Sequence, residues 1–483
     1  MRFWNWWVVE MSLKIALPKG RLLTGTAALL KRAGWGLGEY REKSRLYRLH
    51  SETVPGLFAK VFHERDIPIQ VAIGNYDLGI CGLDWVEELL VKYPSSAVEK
   101  VRDLGYSTGV LHLVASRANG APSSMDEVSS LAGGLRIASE YPNLAESLAL
   151  NLRLRQFSIF PLWGGAEVYP PESADLALVS GRKGQKLFDY DLASLGEVQH
   201  YAAFLIVNKD RWHSEDLGEL LSSIEAALAA GGLRLPTAEV AEPVTLKARQ
   251  VGDGAGDTVR LALPDGHQQQ PTLELLERAG IEITDYPSSQ GNRRPLINLD
   301  GVTVKVIRPQ DMPLQVANGN FDLAITGRDW LREHLYQFPS SPVAELLDLG
   351  FGRVRIVAVV SQDMAVSDIY GLRQLVMEEP KSLRVASEYV NIADKYARDN
   401  HLGGYRIVPT WGASEAFLPE DADLLIENTQ TGRTIARHNL KIIDTLGHSS
   451  ACLIGSARGE VSPGKRVRME SLINSLHMAV EDV

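Results

Sequence analysis

One pattern constrains this chain more than any other: it repeats itself. Leu13-Lys-Ile-Ala-Leu-Pro-Lys-Gly20 recurs as Val259-Arg-Leu-Ala-Leu-Pro-Asp-Gly266, 246 residues on. Tyr76-Asp-Leu-Gly-Ile-Cys-Gly82 recurs as Phe321-Asp-Leu-Ala-Ile-Thr-Gly327, and Asp103-Leu-Gly-Tyr106 as Asp348-Leu-Gly-Phe351, both at 245. Arg136-Ile-Ala-Ser-Glu-Tyr141 recurs as Arg384-Val-Ala-Ser-Glu-Tyr389, and Trp163 and Glu167 as Trp411 and Glu415, at 248. The order is kept and the offset barely drifts, which chance does not produce. The chain reads as a tandem duplication of one unit of about 225 residues, an ordinary domain size. The expected boundaries are an extension over 1–12, a first unit over 13–230, a linker over 231–257 that mixes Gly, Pro and Ala without periodicity, and a second unit over 258–483. Met11 is an alternative start, because regular patterning begins at Leu13.

Each unit alternates short β-branched apolar runs with amphipathic stretches, the pattern of an α/β fold. Leu13–Leu17, Val110–Ala115, Val302–Ile307, Val354–Val360 and the runs around Ile80 and Ile325 predict strands. Thr24–Ala33 and Thr272–Ala279 predict helices ended by Gly34 and Gly280, which suit a left-handed C-cap. Each unit closes on a helix with a single apolar face. In the first that face holds Leu217, Leu220, Leu221, Ile224 and Leu228; in the second, Met469, Leu472, Ile473, Leu476 and Val480.

Composition removes several function classes. A formal net charge of −10 argues against a general nucleic-acid binder, though not against a local cationic pocket. Two cysteines, Cys81 and Cys452, cannot make a disulfide framework and fit a reducing cytoplasm. No apolar run approaches the ~20 residues of a membrane helix, and the Trp-rich opening lacks a signal peptide's cleavage pattern.

The most informative segment is Ala422-Asp-Leu-Leu-Ile-Glu-Asn-Thr-Gln-Thr-Gly-Arg-Thr434. Leu424–Ile426 predict a buried strand, followed by an acid, a Thr/Gly turn and, from Ile435 to Leu440, a possible helix start. Converging N–H groups and hydroxyls in such a turn cradle a phosphate, and a carboxylate just before it suits the hydroxyls of a ribose. A plain turn is an equal alternative on these residues alone. Lys19-Gly20-Arg21, at a strand's carboxyl end, is a second anion candidate, with a solvated basic turn as its rival. Arg308 ends the strand Val302–Ile307 and could hold a leaving phosphate; Arg45 and Arg294 sit in similar places in the two copies.

Together these segments resemble the ATP phosphoribosyltransferase family. Leu13–Leu22 is similar to its amino terminus, Asp322–Gly327 and Leu347–Gly352 to its next motifs, Glu427–Thr434 to its phosphoribosyl pyrophosphate loop, and Ser450–Ile454 to the strand beyond. The loop departs modestly, with Glu427 for the usual aspartate and Asn428 for an apolar residue. The resemblance implies a two-lobed unit similar to type II periplasmic binding proteins, with the site in the cleft and the two copies forming an intrachain pseudo-dimer. It implies magnesium, and attack of adenine nitrogen 1 of ATP on the anomeric carbon of phosphoribosyl pyrophosphate. It also implies a possible homo-oligomer, and a possible regulatory subunit resembling histidyl-tRNA synthetase, because the short form of the family works with one.

The departures between copies sharpen the expectation. The loop of copy two aligns with Val179-Ser-Gly-Arg-Lys-Gly-Gln-Lys186, where Glu427 becomes Val179, Thr431 becomes Lys183 and Thr434 becomes Lys186. Conversely, Lys19 and Arg21 become Asp265 and His267, and Arg308 aligns with His63. The decay is complementary, so one composite site per chain is expected, with copy one lending Lys19, Arg21 and Arg45 to copy two. In that site Arg308, Lys19 and Arg21 meet the leaving group, Glu427 the ribose, and Asn428, Thr429, Gln430, Thr431, Gly432, Arg433 and Thr434 the 5′-phosphate side, with Glu415, Arg45 and Arg294 as further substrate contacts. No side-chain metal cage is expected. Trp163 and Trp411 read as lobe packing, and Asp77 and Asp322 as structural. A silent nucleotide- or histidine-binding regulator is the alternative, as is a second copy that works alone.

Overall fold

A computed structural model of the chain describes residues 13–481 apart from 43, 45, 118–120, 132, 183–189, 213–214, 231–256, 290, 379–381 and 457–460. The expected extension and nearly all of the expected linker lie outside the described residues, and so do Arg45, Lys183 and Lys186.

The repeat in sequence is a repeat in space. In the first unit, Lys14–Pro18 lies between Phe58–Phe62 and Leu78–Gly82, parallel to both. Ala203–Asn208 returns antiparallel between Leu78–Gly82 and Val98–Asp103 to complete lobe I. Lobe II is a second mixed sheet in the order Leu192–Tyr201, Gly109–Ser116, Leu176–Arg182, Leu135–Ser139, Phe157–Pro161. The second unit repeats both orders, except that the edge strand Arg48–His50, antiparallel to Phe58–Phe62 in the first lobe I, has no counterpart in the second unit's five-stranded sheet. Its lobe I runs Val302–Ile307, Val259–Pro264, Leu323–Gly327, Ala451–Ser456, Val343–Asp348, and its lobe II runs Tyr405–Pro409, Leu383–Ser387, Leu424–Thr429, Val354–Ser361, Leu440–Ser449. This is the two-lobed α/β unit implied by the family resemblance, present twice.

The expected helices form over Leu23–Arg32 and Gln269–Arg278, and Gly34 and Gly280 follow them at φ 75° and 70°, where a Cβ would be strained. The closing helix of the first unit, Glu215–Ala230, lays Leu217, Leu220 and Ile224 on the core formed by Ile15, Leu17, Leu29 and Leu30. Each such side chain contributes about 2 kcal/mol by leaving water. The helix expected from Ile435 is shorter than the pattern suggested. It spans Arg433–Arg437 and yields to the strand Leu440–Ser449, whose pairing with Val354–Ser361 outweighs local helix preference.

The units associate reciprocally, lobe I of each against lobe II of the other. Lobe I of the first unit (Phe62, Ile67, Val71, Tyr76) shares one buried cluster with lobe II of the second (Val357, Phe417, Leu418, Leu425). The reciprocal cluster joins Leu162, Val168 and Tyr169 to Ile307, Met312 and Phe321. Polar ties repeat around the same pseudo-twofold. Lys60, fully buried, meets Asp421 at 2.7 Å and Glu420 at 2.8 Å; its twin Lys305 meets Glu172 at 2.8 Å. Ser173 stands where Asp421 stands in the other copy, so Lys305 has one acid fewer, and burial brings its ammonium down to about 8. Asp311 accepts the Trp163 N–H at 3.1 Å, and Asp66 accepts a backbone hydrogen bond from Trp411.

Candidate active site

The site begins with a strand. Leu424–Thr429 runs through the middle of its sheet, parallel to Leu383–Ser387 and antiparallel to Val354–Ser361, which buries Leu424, Leu425 and Ile426 completely. At its carboxyl end the backbone leaves the sheet, and Glu427, Asn428 and Thr429 line a cleft of about 510 Å³ between the lobes of the second unit. The turn closes on itself. Gly432, at φ 74°, donates its N–H to Thr429 Oγ1 at 2.9 Å, and Arg433 donates its N–H to Thr431 Oγ1 at 3.5 Å. Gln430, Thr431, Arg433 and Thr434 are exposed on the cleft wall, the placement a phosphate loop needs.

Glu427 is anchored from both sides. Its Oε2 accepts from Ser414 Oγ at 2.6 Å and its Oε1 from its neighbour's N–H, that of Asn428, at 2.8 Å. Ala413, in the left-handed region at φ 59°, turns Ser414 toward it, a strained backbone beside the site. Asn428 donates from Nδ2 to Tyr389 OH at 2.8 Å, and that phenol donates to Asp329. Glu388 and Glu415 complete an acidic wall. Burial, and then repulsion by Glu388 and Glu415, pushes Glu427 up to about 8. Burial raises Glu388 to about 7, with Lys19 opposing and Glu415 adding to the rise.

Lys19 lines the first unit's cleft, and its ammonium reaches the second unit's acids across the interface. Its Nζ lies 3.2 Å from the point a Cβ on Gly412 would occupy, and Glu388 Oε1 lies 3.6 Å from the same point. A side chain there would press on the Lys19 ammonium, and the φ of 91° at Gly412 favours glycine in any case. Burial lowers the Lys19 pKa, while Asp66, Glu388, Glu415 and Glu427 pull it back. The opposite wall carries Asp265, His267 and Arg308; Arg308 pairs with Asp265 at 3.2 Å and also reaches the first unit's cleft beside Gly164.

Two expected contacts are elsewhere. Arg21 stays within its own copy, paired with Glu64 and Asp84 at 2.7 Å each, because those buried carboxylates are its nearest counter-charges. Arg294 ties the interface, donating to Glu172 at 3.2 Å and to the carbonyls of Val168 and Pro170, so it lines neither cleft. In the first copy, Val179 is buried at the position of Glu427. Glu167 pairs with Arg293 at 3.5 Å, Asp77 accepts the Lys14 N–H and Asp322 the Arg260 N–H, both at 2.8 Å. Trp163 packs at 5.9 Å from Trp330 and 6.4 Å from Trp411.

Sequence reasoning missed two participants. Glu388 is the acid of the repeated Arg-x-Ala-Ser-Glu-Tyr motif, which on sequence alone marks only the duplication. Tyr47, in the first unit, stacks on His438 of the second at 4.8 Å; burial, then Glu415 and Glu427, push its phenol up to about 12. Nothing in its local sequence announces that contact.

Comparison with known proteins identifies the family. The family model described as ATP phosphoribosyltransferase matches residues 63–226 and again 308–478. The ATP phosphoribosyltransferase of Chlorobaculum parvum is 31% identical over 231 residues, covering 47% of this chain and 73% of that protein. The enzyme of the same name from Prosthecochloris aestuarii is 30% identical over 227 residues, covering 46% and 71%. Among solved structures, the ATP phosphoribosyl transferase (HisG:HisZ) complex from Thermotoga maritima aligns with 45% of this chain and 99% of that chain at 21% identity and a TM-score of 0.38. The alkanesulfonate-binding protein SsuA from Xanthomonas axonopodis aligns with 46% and 73% at 12% identity and a TM-score of 0.29. With the family matched once in each copy, this chain belongs to the ATP phosphoribosyltransferases, the transferases that join ATP to phosphoribosyl pyrophosphate in histidine biosynthesis.

Proposed function

We propose that the chain makes phosphoribosyl-ATP at one composite site, in the cleft of the second unit, completed by Lys19 from the first. The observation that carries this reading is the Lys19 ammonium set beside Glu388 and Gly412, against the wall that also holds Glu415 and Glu427. As adenine nitrogen 1 approaches the anomeric carbon, the bond to pyrophosphate breaks, positive charge grows on the ribose ring and negative charge on the leaving oxygen. Fixed charges matter most in such a step. Arg308 and Lys19 meet the departing pyrophosphate, Glu427 accepts from the ribose hydroxyls, and Thr429, Thr431, Arg433 and Thr434 hold the 5′-phosphate. Glu415 is a further hydroxyl acceptor.

Among the described residues no three His, Cys, Asp or Glu side chains form a metal cage, and an ammonium already sits among the cleft's acids. The donor set therefore fits a magnesium ion carried in on the substrate's pyrophosphate, with Glu415 at most as a protein ligand. Such an ion supplies charge neutralisation of the leaving group. Both cysteines are free and buried, and no described helix is long and apolar enough to cross a membrane, which supports a cytoplasmic enzyme. A regulatory subunit remains part of the proposal, on the family resemblance.

The test is the purified chain with ATP, phosphoribosyl pyrophosphate and magnesium, with pyrophosphatase to draw the equilibrium. Phosphoribosyl-ATP formation by the chain alone supports an autonomous composite site. Donor binding without turnover assigns the missing function to a partner.

A further inference from the structure

The second unit's cleft carries two side-chain amides that the first unit's cleft lacks. Asn428 from lobe II and Gln268 from lobe I line it together with Trp330 and Val354. At the matching positions the first copy has Ser180, which bonds to Tyr201, and Leu22, which is fully buried in the core. A chain of hydrogen bonds sets which way the Asn428 amide faces. Asp329, as a carboxylate, can only accept, and it takes Ser449 Oγ on Oδ1 at 2.8 Å and the Tyr389 phenol on Oδ2. With its proton given to Asp329, the Tyr389 oxygen accepts, and Asn428 donates to it from Nδ2 at 2.8 Å. The reverse amide orientation would set lone pair against lone pair. Tyr389 is completely buried and packs on Trp330 with ring centroids 4.4 Å apart, so the anchor is fixed. Asn428 Oδ1 has no partner among the described residues and is not sealed from solvent, so the cleft is offered an acceptor. A phosphate oxygen is repelled by such a group, whereas an N–H satisfies it. Gln268 adds a second amide in want of a donor, since its Oε1 is buried without a partner.

We propose that Asn428 selects the base, accepting a hydrogen bond from the 6-amino group of adenine, with Tyr389 and Asp329 as its positioning residues. This rests on the phosphoribosyl transfer proposed above. In that reaction nitrogen 1 attacks, and the neighbouring ring carbon carries the 6-amino group. Whatever reads the amine therefore stands beside the anomeric carbon, and Asn428 directly follows Glu427, the acceptor for the ribose hydroxyls. A 6-oxo purine would bring an acceptor against an acceptor and is disfavoured. Asn428 departs from the apolar residue usual in the family loop, so the contact is particular to this chain.

The experiment is calorimetric titration of the full chain, with magnesium, by ATP, by inosine triphosphate and by phosphoribosyl pyrophosphate. The unaltered chain should prefer ATP to inosine triphosphate. Asn428→Leu should weaken ATP about tenfold, the scale of one lost hydrogen bond, and leave the other two within about twofold. Tyr389→Phe keeps the buried ring and leaves Asp329 its bond from Ser449. It frees the amide to turn its N–H toward a 6-oxo group, so inosine triphosphate should gain several-fold. A folding defect would weaken both nucleotides together, and neither variant should do that. An unaltered chain without preference, a preference unchanged by Asn428→Leu, or a loss confined to phosphoribosyl pyrophosphate overturns the proposal. An unaltered chain that binds neither nucleotide overturns the transferase reading itself, which is a different result.

Discussion

Lys19 and Asp265 occupy the same place in the two copies and face opposite ways electrically. Lys19 lies among Asp66, Glu388, Glu415 and Glu427, whereas Asp265 takes Arg293 at 3.1 Å and Arg308 at 3.2 Å. The pseudo-twofold therefore relates a cation among acids to an acid among cations. Loss of the lysine in one copy is matched by loss of the ribose acid in the cleft it would have served. A duplicated chain is free to do this, because each cleft borrows from its neighbour and a single complete cleft suffices.

Lys19→Met should fold normally and lower kcat by about 100-fold, the scale for removing one fixed charge from a transition state, with a smaller change in KM for ATP. Arg21→Met should behave differently, because it strands Asp84 and Glu64 in the first unit. Its main effect should be lost stability, on the order of 3–5 kcal/mol for a broken buried pair, read by denaturant unfolding. Equal losses of kcat in both, with folding intact, would return Arg21 to the active site.

Glu427→Gln should abolish donor use and stabilise the empty protein at alkaline pH. Burial with repulsion by Glu388 and Glu415 raises the folded pKa to about 8 from an ordinary 4.5. Between those values the folded state binds more protons than the unfolded state, so stability falls as pH rises through the window. The substitution should flatten that fall and raise the melting temperature at pH 8 by about 1–3 °C. Thermal unfolding at pH 5 and pH 8 checks it.

His63 carries the opposite sign. Its folded pKa, about 4, lies below the ordinary 6.5, so its contribution is present above 6.5 and lost as pH falls toward 4. Burial and the surrounding Lys19, Arg65, Arg21 and Arg308 are the cause. His63→Gln should make the chain less sensitive to acid between pH 6.5 and 4, measured by urea midpoints across that range.

Lys60→Met should loosen the two units. The fully buried ammonium neutralises Asp421 and Glu420 across the interface, and Tyr76 OH donates to the same Asp421 at 3.1 Å. Removing it leaves the buried Asp421 carboxylate without its counter-charge, at a cost on the order of 3–5 kcal/mol, while Glu420 keeps Arg48 at 3.0 Å. Lys60→Met with Asp421→Ser, which installs the first copy's residue, should recover part of that loss in the same unfolding measurement. No recovery would show that Asp421 is not the group Lys60 neutralises.

Much of this was written in the linear chain. The duplication, the α/β alternation and the loop Glu427–Thr434 are local: strand periodicity, glycine at a turn and an acid before a hydroxyl run depend on neighbours a few residues away. So does the decay of that loop in the first copy, as far as Val179. Which of two adjacent cations crosses to the other unit was not local. Lys19 and Arg21 are two residues apart, yet Arg21 is captured by Glu64 and Asp84 while Lys19 meets Glu388 and Gly412. Arg294, read as a site arginine, instead satisfies Glu172 and two interface carbonyls. Tyr47 against His438, and Arg65 over Trp411, join residues hundreds of positions apart. Such choices rest on long-range Coulomb and packing energies that exist only once the lobes are docked, so the folded chain alone could make them.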